Sequence, residues 1–245
     1  MTQPSPIYLF TDYGYQGPYV GLLRAAIART GYRGEVVDLQ HDAPPFRPQA
    51  AGLLLNALLP YLPDDAVVVA VVDPGVGSER EGLVLRHGQR ALVGPDNGLL
   101  APLFAGATGL SRIAWRPQQM SLSFHGRDWF APVGARLAMG EDVELAPLDP
   151  VACENFDHAR YARTIIYADQ FGNLMTGIAA AELSPSAHLQ LGDQELTHAR
   201  VFSAVPPGTA FWYANSLGLV EIAVNQGSAQ GELAAQVGDW VTVLE

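Results

Sequence analysis

Groups able to do chemistry gather at four short runs of this 245-residue chain. The most informative is AVVVAVVDPGVGSER, residues 66–80, in which seven apolar residues stop at Asp73, a Pro-Gly-Val-Gly turn follows, and a permanent cation, Arg80, comes seven positions after the acid. A carboxylate at the carboxyl end of a buried strand stands where open α/β sheets bind ligands, and a guanidinium seven residues on can fold back over the turn. TDYG (11–14) places Asp12 in the same kind of position, GPDNG (94–98) does so for Asp96, and FHGRD (124–128) brings His125, Arg127 and Asp128 within one turn. Counted together, Asp12, Asp73, Asp96 and His125 can serve acid–base chemistry or ligate an ion. Carboxylates in such places also hold a ribose diol or complement a cationic ligand. HExxH, GxSxG, Walker and GxGxxG patterns are all missing, so zinc-protease, serine-hydrolase, P-loop and dinucleotide readings lack their motifs. Arg127 and Asp128 are expected to pair with each other, and Asp96 to shape its turn.

The elements that must position these groups follow from periodicity. Residues 7–10, 36–39 and 66–72 read as strands, and helical patterns through Val20, Leu23 and Ile27 and over residues 49–59 separate them. This β-α-β-α-β rhythm predicts a parallel sheet with covering helices. A hairpin is expected around Gly88 (82–85 with 90–93), then a short helix from Leu99, a strand at 113–115 and a helix through Val133 and Leu137 that Gly140 closes. Periodicity fails from about 141 to 162. Beyond it, short strand candidates at 164–167, 189–191, 199–202, 210–213, 219–223 and 240–244 predict a small antiparallel barrel or sandwich. The organisation expected is an α/β domain over 1–145, Rossmann-like with a mostly parallel sheet, a linker at 146–162 and a β-barrel domain over 163–245.

Composition excludes several classes. A net charge of −11 without clustered Lys or Arg argues against a nucleic-acid partner. No apolar run approaches the roughly 20 residues of a membrane span, and the amino terminus lacks a charged region followed by a long apolar one. A cytoplasmic protein without membrane attachment is expected. The single Cys153 cannot form an internal disulfide.

Six runs, FTDYG, VVDPGVGSER, GPDNGLL, FHGRD, DQFGN and NSLGLVEIA, in this order and spacing, resemble the S-adenosylmethionine hydroxide adenosyltransferases, relatives of bacterial fluorinase and chlorinase. The resemblance spans nearly the whole chain. It implies an α/β domain joined to a β-barrel, a homotrimer with ligand between the first domain of one subunit and the second of its neighbour, and no metal or cofactor. It further implies attack of water on ribose C5′ of S-adenosyl-L-methionine, giving adenosine and L-methionine. Asp73, Arg80 and His125 match the groups around that water, with Asp73 as proton acceptor or relay, Arg80 stabilising hydroxide character and His125 positioning or shuttling the proton. Halogenating relatives carry tyrosine at the position matching Asp73, where a carboxylate repels halide. Asp12 matches the acid on the ribose hydroxyls and Phe46 an aromatic against the nucleoside. Asp169 and Ser216 match groups on the methionine amino and carboxylate ends, Phe171 and Asn173 line the adenine side, and Ala229 completes the substrate-binding set. The chain departs from fluorinase at Leu217, an arginine there, and in a spacing from Asp169 to Phe171 one residue shorter. A metal-dependent hydrolase of a nucleoside-like substrate and a non-catalytic adenosine-binding protein are the alternatives.

Overall fold

The apolar run at 66–72 is buried throughout, with no residue more than 3% exposed, and the first sheet is built outward from it. In the computed structural model, which describes residues 3–154 and 156–244, the chain falls into two units. One holds the chain up to Gly52 with Tyr61–Phe156; the other holds Leu53–Pro60 and the chain from Asp157 on. The outer ends of the two expected domain spans, and Asn155 of the expected linker, lie outside the described residues.

In the first unit β1 (Ile7–Thr11), α1 (Tyr19–Arg29), β2 (Val36–Gln40), α2 (Pro48–Leu58) and β3 (Val67–Val71) alternate as the periodicity predicts, α2 running on across the unit boundary. β1 pairs in parallel with both β2 and β3. Then come β4 (Gly82–His87), β5 (Arg90–Pro95), β6 (Gly109–Ile113) and β7 (Leu145–Pro147), giving the order β2-β1-β3-β5-β4-β6-β7. β3 pairs in parallel with β5, whereas β5–β4, β4–β6 and β6–β7 are antiparallel. Three parallel and three antiparallel pairings make the sheet mixed, which corrects the expectation of a mostly parallel one. The physical reason is the two-residue connection at Gly88 (φ +63°), which returns the chain as a hairpin where a crossover helix would be needed to keep it parallel.

α3 (Ala131–Ala138) and α1 cover one face of this sheet, burying Leu23, Ile27, Trp129, Phe130 and Val133 against Leu9, Val67, Val69 and Val93. α3 is preceded by a wide π turn at Gly126–Phe130. The expected helix from Leu99 is a 3₁₀ segment, Ala101–Gly106.

The second unit contains α4 (His158–Ala162), β8 (Ile165–Ala168), β9 (Leu174–Ala179), β10 (His188–Leu191), β11 (Gln194–Leu196), β12 (Ala210–Ala214), β13 (Leu219–Val224), α5 (Ala229–Glu232) and β14 (Val241–Leu244). They form two antiparallel sheets, β12-β13-β9-β8 and β11-β10-β14. Isolated bridges join Thr164 to Trp240 and His198 to Trp212. The expected strand at 199–202 is absent among the described residues. Only His198 pairs there, and Phe202–Ala204 coils into a 3₁₀ turn. Among the described residues no helix is long and apolar enough to cross a membrane.

Contact between α3 and β3 rests on Gly134, where an added Cβ would lie 2.5 Å from Val69 Cγ2. Gly134→Ala therefore sets a gain of about 1 kcal/mol in helix propensity against overpacking of roughly 1–3 kcal/mol. The expected outcome in chemical denaturation is a lower midpoint for the first unit's transition; a raised midpoint would contradict this packing.

Candidate active site

Asp73 follows β3 by two residues, so burial of the strand delivers its carboxylate to the sheet edge. The side chain is 4% exposed and that of Arg80 10%. Arg80 Nε donates to Asp73 Oδ1 at 2.7 Å, and Nη2 meets Oδ2, a two-point grip of guanidinium on carboxylate. The intervening turn is braced by Val76 N–H to Asp73 O (3.3 Å) and Ser78 N–H to Gly75 O (3.1 Å). Gly77 is required in it: φ is +89°, and a Cβ would lie 2.5 Å from the Leu122 carbonyl. That close approach sets the turn directly against the segment that leads into His125. Burial, with Arg116 as a second cation, brings Arg80 down to about 10, so it remains charged at neutral pH.

His125 opens the π turn and is 3% exposed. Its ring stands edge-on to Trp129 with centroids 5.9 Å apart, and neither ring nitrogen has a hydrogen-bond partner among the described residues. Arg80 Nη1 is likewise buried and unpartnered. On Trp129 lies the Arg116 guanidinium, 3.5 Å from the ring centroid. Burial, then the fields of Arg80 and Arg116, hold the His125 pKa below its ordinary value, so the imidazole is neutral at pH 7.

Asp12, Phe46, Asp73 and His125 line one cavity of about 440 Å³, within the range of small-molecule sites. Asp12 Oδ2 accepts the Phe46 N–H at 3.4 Å, and burial raises its pKa. It does not cap α1, whose N-cap is Pro18. Phe46 holds a left-handed backbone, φ 59°, with its ring 77% exposed at the cavity, strain of a kind that persists where surroundings over-determine it. The two loops that carry Asp12 and Phe46 are tied through buried His41: Nδ1 meets Thr11 Oγ1 at 2.8 Å, and its carbonyl accepts Gly14 N–H at 2.6 Å.

Asp169, Phe171, Asn173 and Ser216 line a second cavity, of about 750 Å³, in the second unit. Asp169 shapes its own turn: Oδ1 accepts Phe171 N–H (2.9 Å) and Asn173 N–H (2.8 Å), and Oδ2 accepts Asn173 Nδ2 (2.9 Å). Asn215 does the same for the loop bearing Ser216, accepting the N–H groups of Leu217 (2.9 Å) and Leu219 (3.0 Å). Its Nδ2 donates to Glu221 Oε2 at 2.8 Å, while the Tyr213 hydroxyl donates to Oε1. Ala229 is fully buried in this unit's core and does not line the cavity. Asp96 accepts the Glu154 N–H at 3.0 Å, and it is Asn97 that braces the GPDNG turn, donating to Val72 O at 2.9 Å. Arg127 and Asp128 pair with each other, as expected. Among the described residues no three His, Cys, Asp or Glu side chains converge as a ligand set, Asp12, Asp73, Asp96 and His125 included.

Arg116 and Glu221 are the site residues that sequence reasoning missed. Arg116 sits in a loop with no motif, and its only signal is an Arg between Trp115 and Pro117. Glu221 is the sole charged residue in an otherwise apolar strand and 3% exposed, which is a readable signal of a polar partner beneath.

Residues 7–146 match the SAM hydroxide adenosyltransferase N-terminal domain, and residues 163–242 the C-terminal domain of the same family. The chain is 37% identical to an (R)-S-adenosyl-L-methionine hydrolase of Salinispora arenicola, over 95% of each chain. It is also 37% identical to one of Thermus thermophilus, over 98% of this chain and 99% of the relative. A crystal structure of an uncharacterised conserved protein from Thermotoga maritima superposes with a TM-score of 0.86 at 29% identity, covering 98% of this chain and all of that one. That of a conserved hypothetical protein from Thermus thermophilus gives 0.80 at 33% identity, again over 98% and 100%. The chain belongs to the SAM hydroxide adenosyltransferase family.

Proposed function

We propose that this protein hydrolyses S-adenosyl-L-methionine, as the (R) sulfonium epimer for which its relatives are named, to adenosine and L-methionine. The observation that carries the reading is one cavity lined by Asp12, Asp73 and His125, with Arg80 clamped on Asp73. Water attacks C5′ opposite to sulfur; the C5′–S bond breaks, its electron pair stays on methionine, and one proton leaves the water. Methionine departs neutral, so the leaving group needs no acid. The burden falls on orienting a weak nucleophile and receiving its proton.

A carboxylate gripped at both oxygens by a guanidinium is a poor base. Neutral His125, with both nitrogens open, is the better acceptor, and Asp73 orients the water from its remaining lone pairs. The unpartnered Arg80 Nη1 stabilises hydroxide character as the proton leaves. Asp12 takes the ribose hydroxyls, and the exposed Phe46 ring packs on the nucleoside. Asp169, Ser216, Phe171 and Asn173 hold the methionine and adenine portions. Because these two sets belong to different units, a substrate bridging neighbouring subunits of a homotrimer accommodates both. The exposed rings of Phe46 and Phe171, 77% and 68%, supply surface for that enclosure. The Thr164–Trp240 and His198–Trp212 bridges, at the margins of the two antiparallel sheets, support a closed barrel for the second domain, and 1–145, 146–162 and 163–245 remain the domain division we propose.

Incubation with the substrate and chromatography for adenosine tests the reading. Asp73→Asn and His125→Ala are each expected to cut adenosine release by about 10²–10³-fold with substrate still bound; parental rates in both would remove the trio from the reaction. A chelator is expected to leave the rate unchanged, whereas a metal-dependent hydrolase would stop. Because catalysis needs His125 unprotonated and its pKa is lowered, activity should persist as pH falls to 6.5 and fail only below it. Arg116→Gln removes one of the cations opposing protonation, so the acid limb of the kcat profile should move upward; a limb unchanged by Arg116→Gln would mean that His125 is not the titrating group.

A further inference from the structure

Tyr13 sits between Asp12 and the turn at Gly14 and lines the same cavity as Asp73 and His125. Its ring is wedged between Tyr19 (centroids 6.1 Å apart) and Phe124 (5.6 Å, edge-on). The backbone beneath is anchored, since Tyr13 N–H donates to Thr11 Oγ1 at 3.2 Å and that hydroxyl is held by His41. A Cβ built on Gly126, the residue after His125, would fall on the Tyr13 hydroxyl. The glycine of the FHGRD run therefore makes room for a phenol oxygen carried by the TDYG run.

That hydroxyl makes no hydrogen bond among the described residues, and its oxygen abuts the backbone beside His125. A polar group delivered to a cavity wall and left without a partner forfeits stability unless a ligand or solvent atom completes it. We propose that the Tyr13 hydroxyl is a further catalytic group, donating a hydrogen bond to the oxygen that attacks C5′; this rests on the hydrolase reading above. Burial, and then the charge of Asp12, raise the phenol's pKa, so it stays a donor across the working range. The balance is simple: the attacking oxygen gains its bond to C5′ and passes one proton to His125, while Tyr13 keeps its own. As that proton leaves, the oxygen carries three lone pairs: one forms the bond to C5′, one accepts from Arg80 Nη1 and one accepts from Tyr13.

Steady-state kinetics of the full chain test this. Tyr13→Phe keeps the ring and its two aromatic contacts, so kcat should fall about 10- to 100-fold, the worth of one hydrogen bond to a charged or charging group, with KM within about twofold. Gly126→Ala drives a methyl against the hydroxyl and should impair the parental chain more than it impairs the Tyr13→Phe variant. An unchanged kcat in Tyr13→Phe while the parental chain releases adenosine overturns this role alone. So does a change confined to KM or to thermal stability. A parental chain that releases no adenosine overturns the hydrolase reading and this role with it.

Discussion

Everything at the first cavity depends on the two-point contact between Asp73 and Arg80. Both side chains are nearly dry, and a buried carboxylate or guanidinium alone costs several kcal/mol, on the order of the stability of a whole domain. Each is therefore tolerable only with the other in place. The contact closes the turn that Gly77 packs against Leu122, and the Leu122 segment carries His125. Charge pairing, turn closure and imidazole placement are thus coupled in the folded chain. Stability is not the reason to keep such a pair, because an apolar replacement of equal volume often does as well; the unpartnered Nη1 and imidazole nitrogens beside it point to chemistry instead.

Most of the first unit was legible because its signals are local. A run of seven buried apolar residues can hardly be anything but an inner strand, and Asp73 is where it must end. The expectation of a mostly parallel sheet extended the opening rhythm past the Gly88 hairpin, yet strand direction is decided by connection length, and that turn leaves no room for a crossover. In the second unit β9 was not anticipated. Its LMTGIA sequence alternates buried and half-buried positions, but Gly177 reads as a breaker, and only the fold shows that its bare Cα makes room for Ala162. Residues 199–202 look like a strand in the sequence, yet Phe202 packs on Phe211 and Tyr213 from a 3₁₀ turn.

The site residues divide the same way. Asp12, Asp73 and His125 stand at element ends beside glycines and were visible as motifs. Arg116 acts through the face of an indole, and no spacing rule connects residue 116 to 129 or 125. Ala229 enters the substrate-binding set only through the resemblance, and a side chain of one carbon at the start of α5 satisfies the core, where it lies. Periodicity finds elements and acids at their ends; it does not find contacts made across loops.

The wide turn at Gly126–Phe130 has a consequence for how one helix serves two masters. Such a turn takes one residue more than an α-helical turn, which rotates everything before it by about 100° relative to everything after. Trp129, Phe130 and Val133 are thereby phased to the apolar interior, while His125, immediately before the turn, is phased to the cavity. Deleting a single position from that stretch would swing the imidazole, and the segment before it, around the axis relative to Trp129 and Phe130, so the extra residue, together with the bare Cα of Gly126, is what aims it.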